Sequence, residues 1–243
     1  MFFVKRQLVL GCLILLCGFM VGCAKPAEEE TASSSASEST SAVEEGTQAV
    51  AEPDAGKAKM VQVHLDKGVT LTKSAKWEEA ISELNKAVQL DPYHVTAHAT
   101  LGWAYSETGE WESAITHLRR ATELDPKNAG AFGTLAWAYA EQEQWDLSLQ
   151  AAKQATTLDP KNAYAFSTMG WAYEALQKDK EAYSAYARAL EINPKLAPAQ
   201  YAVGEGMCKR GDIGEAQDAS RKLAHLDSAL KDKLDKRIKQ GCP

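Results

Sequence analysis

DPKNAGAFGTLAWAYAEQEQWDLSLQAAKQATTLDP, residues 125–160, begins and ends on the same Asp-Pro pair. The pair belongs to a longer series. Pro92, Pro126, Pro160 and Pro194 stand 34 residues apart, preceded by Asp91, Asp125, Asp159 and Asn193. A fixed period of about 20 to 50 residues is the signature of a repeat solenoid. Between the prolines, apolar residues recur at three- and four-residue spacing, as amphipathic helices require. The expected fold class is therefore all-α, a superhelix of antiparallel helix pairs. Such solenoids present long concave surfaces that hold partners.

Counting each unit from the third residue after a ruler proline gives starts at Val95, Ala129, Ala163 and Ala197, with an earlier start at Val61. The predicted units are 61–94, 95–128, 129–162, 163–196 and 197–227, within a solenoid spanning 59–227. The unit from Val95 carries His98, Leu101, Gly102, Tyr105, Trp111, Ala114, Leu118, Ala121 and Pro126 at positions 4, 7, 8, 11, 17, 20, 24, 27 and 32. The next carries Phe132, Leu135, Ala136, Tyr139, Trp145, Ser148, Ala152, Ala155 and Pro160; the one after it carries Phe166, Met169, Gly170, Tyr173, Asp179, Ala182, Tyr186, Ala189 and Pro194. These residues resemble the signature of the tetratricopeptide repeat, a helix-turn-helix of 34 residues. Small residues at positions 8 and 20 let the two helices of a unit approach, and larger ones at 4, 7, 11 and 24 fill the space around them. Gly109 suits a helix C-cap in the turn between them.

The outer units match less well, as terminal repeats with one missing neighbour do. At the C-terminal end Ser228 stands where the ruler would place a proline, and Leu226, Leu230, Leu234 and Ile238 then recur every four residues. Residues 228–243 read as an amphipathic capping helix and tail, either separate from the helix before it or continuous with it. Cys208 and Cys242 share the same phase in successive units. They can form an intramolecular disulfide that staples the cap, remain free thiols, or crosslink chains.

The first 58 residues read differently. Lys5 and Arg6 precede an apolar run from Leu8 to Val21, too short for a membrane span of about 20 residues and well sized for a signal peptide. The run ends in Met20-Val21-Gly22-Cys23, which resembles the lipobox of bacterial lipoproteins; an ordinary secretory signal or an uncleaved anchor is the alternative. The resemblance implies a signal peptide over 1–22 and a mature chain lipidated at Cys23 with diacylglycerol and an N-acyl group such as palmitate. Several acyl chains give stable anchoring to a membrane. Ala24 replaces the Asp that commonly retains such proteins in the inner membrane, so the resemblance favours the outer membrane, facing the periplasm. Residues 23–58 are rich in Glu, Ser, Ala and Thr, without an aromatic residue, and read as a disordered acidic linker.

The formal net charge is −6, and it includes the two positive charges of Lys5 and Arg6. That balance argues against nucleic acid as a partner. No HExxH, nucleophile elbow or glycine-rich phosphate loop occurs, and the five histidines are scattered in phase. No catalytic residue, metal ligand set or cofactor is expected.

The resemblance also places positions 2, 5, 9, 12 and 13 of each unit's first helix on the concave face. Position 9 is Trp103, Trp137 and Trp171 in the three central units. Small residues stand beside them at position 5, namely Ala99, Gly133 and Ser167, and acids follow at position 12 or 13, namely Glu107, Glu141 and Glu174. Tyr164 occupies position 2 of the fourth unit. Two readings are open. The indoles line a groove, where Trp anchors dominate binding energetics, or they pack between neighbouring helices. Trp77, Trp111 and Trp145, at position 17, read as core. Asn at position 9 with nearby Lys or Arg marks the members that clamp a peptide carboxylate, and this chain lacks that pattern. The Trp and Glu pattern favours apolar or weakly basic peptide segments, including proline-rich ones. The implied function is a non-enzymatic envelope scaffold or assembly factor; similar lipoproteins serve as pilotins, pilus and secretin assembly factors, or adaptors of peptidoglycan enzymes. A module that binds cell-wall glycan (peptidoglycan), or one that self-associates, is the alternative.

Overall fold

The Asp or Asn of each ruler pair closes one helix and shapes the turn that follows. Asp91, Asp125, Asp159 and Asn193 sit in extended backbone just past a helix end, each with its N–H bonded to the carbonyl four residues back. Each side-chain oxygen then accepts from the backbone N–H two residues on, at 2.9–3.1 Å. Each proline therefore lies in the turn between units, where its missing N–H leaves no bond unmade. The next helix begins three residues later. Asn128 and Asn162 cap it by accepting from Ala131 and Ala165, and His94 does the same through Nδ1 for Ala97. A cap of this kind is worth about 1 kcal/mol.

The computed structural model describes residues 55–242, and within them eleven helices alternate in antiparallel pairs with no β-strand. The pairs are α1 (Ala55–Lys73) with α2 (Trp77–Leu90), α3 (Val95–Thr108) with α4 (Trp111–Leu124), α5 (Ala129–Glu141) with α6 (Trp145–Leu158), α7 (Ala163–Ala175) with α8 (Asp179–Ile192), and α9 (Ala197–Lys209) with α10 (Ile213–Leu223). A final helix, α11 (Ser228–Lys239), packs on α9 and α10. Successive units meet mainly through the second helix of one and the first helix of the next, with the first helices also touching along the stack. The signal segment, Cys23 and most of the linker lie outside the described residues. Helix α1 starts at Ala55 and takes in residues 55–58, which composition assigns to the linker; their side chains are exposed, and Ala and Lys extend a helix readily.

Within each pair the close approach at position 8 is set by what faces it. A Cβ on Gly68 would lie 2.6 Å from Leu84 Cγ, and one on Gly102 only 2.5 Å from Leu118 Cγ. In the third unit Ala136 takes the place of glycine, and the facing residue shrinks to Ala152; both are fully buried. The fifth unit has Ser220 at the facing position. The missing volume comes from α11 instead: Leu234, fully buried, would meet a Cβ on Gly204 at 2.5 Å. The cap thus supplies the large side chain that the last repeat lacks, and it is a separate helix, started by Asp227, whose carboxylate accepts from Ala229 and Leu230. Ser220 and Arg237 fasten it further, through Asp235 and Glu205 respectively. A disulfide joins Cys208 to Cys242 with Cα atoms 5.0 Å apart, tying the chain after α11 back to α9.

Position 15 of every unit is left-handed. Gly109 and Gly211 fill it with φ near 80°, while Ala75, Glu143 and Gln177 hold φ of 54–58°. The turn geometry wins over the side-chain preference there, at about 1 kcal/mol for each non-glycine.

Candidate functional site

The two rows of tryptophan meet. Trp103 packs edge-on against Trp77, Trp137 against Trp111, and Trp171 against Trp145, with centroids 5.3–5.4 Å apart and planes at 66–78°. Each pair joins position 17 of one unit to position 9 of the next, so the indoles bridge neighbouring repeats. Such pairs contribute about 0.5–1.5 kcal/mol beyond the area they bury. Neither row is wholly core or wholly surface. Trp77, Trp111 and Trp145, read from sequence as core, are half-buried, and so are Trp137 and Trp171; Trp103 is 38% exposed. The edge-to-face geometry explains this: a ring holding a neighbour by its edge leaves part of its face open.

The carboxylates are placed by helical spacing. Trp103 and Trp137 donate their indole N–H to Glu107 and Glu141, one turn on, at 3.1 Å in both cases. Burial raises the Glu107 carboxyl above its ordinary range, against the lowering effect of the Trp103 bond. Among the described residues no cation pairs with it. The fourth unit breaks the pattern. Ala175 stands one turn after Trp171, and the acid sits one residue earlier, as Glu174, where it accepts from Lys209 Nζ at 2.9 Å and Tyr186 Oη at 3.3 Å. Burial, followed by the charge of Glu174, pushes the Tyr186 hydroxyl up. In the fifth unit position 9 is itself an acid, Glu205, paired with Arg237 at 3.5 Å. Position 12 otherwise turns inward: Ser106 and Ala140 are buried.

A shallow hollow of about 210 Å³ opens beside Trp103, between α3 and α5. Ala99, Thr100, Asn128, Gly130, Ala131 and Thr134 form the rest of its lining. The small side chains at positions 2 and 5 leave this space, as the spacing of Ala99 and Gly130 implies. Tyr164, further along the same face, is 69% exposed.

A second cluster of polar side chains lies inside the first two units, where the sequence pattern did not point. Positions 4 and 23 of the five units hold His64 and Glu83, His98 and His117, Phe132 and Ala151, Phe166 and Ala185, and Gln200 and Ala219; in the first two units the two side chains meet. Only the first two are ionisable. Glu83 accepts from His64, Lys67 and Lys86 at 2.8–2.9 Å, which holds its carboxyl at about 2. His98 and His117 share a hydrogen bond at 3.0 Å, with Pro92 O 3.1 Å from the other nitrogen of His98. Burial lowers both imidazoles, and His117, with His98 beside it, is brought to about 4. The pair is neutral at neutral pH. The co-substitution of positions 4 and 23 was the signal that would have revealed it. No group of three or more His, Cys, Asp or Glu side chains that could hold a metal occurs among the described residues.

Tetratricopeptide repeat family models match residues 71–127 and 109–171, and a second one matches 163–196, together more than half of the chain. The chain belongs to the tetratricopeptide repeat family. Proteins of this fold generally act as scaffolds for protein–protein interaction. Among solved structures, this tetratricopeptide repeat chain is similar to PilF of Pseudomonas aeruginosa, with a TM-score of 0.66 and 21% identity over 76% of this chain and 85% of that one. It is also similar to a tetratricopeptide repeat protein of Thermus thermophilus, with a TM-score of 0.61 and 19% identity over 73% of this chain and 98% of the other. MamA of Desulfovibrio magneticus RS-1 gives 0.60 and 17%, over 70% and 96%. At these identities the likeness is one of fold. A comparison with curated proteins finds no match by sequence.

Proposed function

We propose that this protein is a non-enzymatic lipoprotein of the cell envelope, anchored through Cys23 to the outer membrane on its periplasmic side, that holds a partner protein by an extended segment laid along its concave face. Trp103, Trp137 and Trp171, with Glu107, Glu141, Glu174 and Tyr164, line that face. The observation that carries the reading is the half-open indole of Trp103 beside an unfilled hollow. Trp is enriched among the few residues that carry most of the binding energy at interfaces. A packing role for the same rings does not compete with this. The edge-to-face pairs fix each indole's orientation in advance, so little side-chain entropy is lost on binding.

The test is capture of envelope proteins by the full chain and by a variant with Trp103, Trp137 and Trp171 changed to Leu, with helicity followed by circular dichroism. Loss of partner with helicity retained supports the groove. Retention of the partner by the folded variant overturns it. Incorporation of labelled fatty acid, abolished by Cys23→Ser, tests the anchor independently.

A further inference from the structure

Resting on that reading, we infer that the segment held at Trp103 presents a Lys or Arg side chain, which lies over the open face of the Trp103 indole and pairs with Glu107. The geometry restricts what this spot can accept. The indole N–H is already donated to Glu107 at 3.1 Å, so the ring offers a ligand its π face and no donor. Bonding that N–H to a carboxylate adds electron density to the ring, and an electron-rich face attracts a cation. Glu107 is half-buried, and the indole is its hydrogen-bond partner among the described residues. A carboxylate withdrawn from water and lacking a counter-charge destabilises the free protein, and a ligand cation removes that cost.

In the last two units the acids of the first helices have cations of their own. Glu174 has Lys209, and Glu205 has Arg237. Glu107, one turn from the Trp103 that lines the hollow, has no cation partner among the described residues. The hollow's polar lining of Thr100, Asn128 and Thr134 suits the backbone of an extended peptide next to the charged group. A neutral sugar would stack on the ring yet leave Glu107 uncompensated, so the charge favours a basic peptide over a glycan.

The experiment uses the full chain with ¹⁵N-labelled tryptophan and three blocked pentapeptides: acetyl-Pro-Pro-Lys-Pro-Pro-amide and its counterparts with norleucine or glutamate in place of lysine. The lysine peptide is expected to shift the Trp103 indole resonance and to bind about fivefold more tightly than the norleucine peptide at low salt. The glutamate peptide is expected to bind most weakly. Glu107→Gln should lower the lysine-to-norleucine ratio by removing the ion pair, while leaving the indole resonances dispersed as in the folded protein. Equal binding of the lysine and norleucine peptides by the wild type, or a ratio unchanged by Glu107→Gln, overturns the inference but leaves the peptide groove standing. Binding of a cell-wall oligosaccharide at Trp103 with none of the peptides bound overturns the groove reading together with it.

Discussion

The row of first helices is built twice from the same parts, and the two halves end differently. In the second and third repeats, Trp103 and Trp137 each bond an acid one turn on, and a hollow lies between α3 and α5. In the fourth and fifth, a shift of one residue hands Glu174 to Lys209 and Tyr186, and Arg237 of the cap takes Glu205. The first half leaves a carboxylate to be answered from outside, whereas the second answers its own. A repeat scaffold makes such divergence cheap, because each unit depends mainly on its neighbours and can change its surface without disturbing distant units.

The largest test of this contrast falls on the closed half. Replacing Cys208 and Cys242 with Ser removes a link closing a separation of 34 residues, and the expected loss is about 2–4 kcal/mol. Hydrogen exchange should place that loss in α9–α11 and leave protection in α3–α5 unchanged. Uniform loss across the chain would show that the halves are not independent.

In the open half, Gly102→Ala sets a methyl against Leu118. A cost of about 1–3 kcal/mol is expected in chemical unfolding. Adding Leu118→Ala, which copies the Ala136–Ala152 arrangement of the next repeat, should relieve the clash while giving up part of the Leu burial.

The histidine pair gives the open half a pH response on the acid side of neutrality. Its folded-state values lie below the ordinary 6.5, near 4 for His117. The pair's contribution is therefore fully present above about pH 6.5 and is lost as pH falls toward 4. Asp91, His94 and Arg120 also face His98, with Asp91 opposing the shift and His94 and Arg120 adding to it. The loss should be about 1–2 kcal/mol once partial exposure is discounted. His98→Phe combined with His117→Ala, the pairing of the third repeat, should flatten the stability profile between pH 7 and 5. A profile unchanged by the double substitution would contradict the assignment.

The smallest expected effect is that of Lys209→Ala, below about 1 kcal/mol for a partly exposed ion pair. It leaves Glu174 without its cation, still bonded to Tyr186, and should make the fourth repeat bind the lysine pentapeptide where the wild type does not.

The period of the prolines made most of the fold legible, since a turn every 34 residues leaves room for little except paired helices. The same register located the aromatic rows and their acids. It did not show that the rows touch, because position 17 of one unit and position 9 of the next approach only once the superhelical pitch is set. Nor did it show which acids are satisfied. Glu174 and Lys209 lie 35 residues apart, and their meeting depends on a one-residue shift that helical spacing alone leaves ambiguous. The separation of α10 from α11 hung on Asp227, whose capping role is local and was readable, while Leu234's place opposite Gly204 was visible only in three dimensions.

The most direct measurement compares Trp103→Leu with Trp171→Leu, each titrated with the lysine pentapeptide and melted in the same buffer. Both variants lose one edge-to-face pair and should unfold within a few degrees of each other. Only Trp103→Leu should lose the peptide. Equal loss of binding in both, or loss confined to Trp171→Leu, would contradict the placing of the site in the open half.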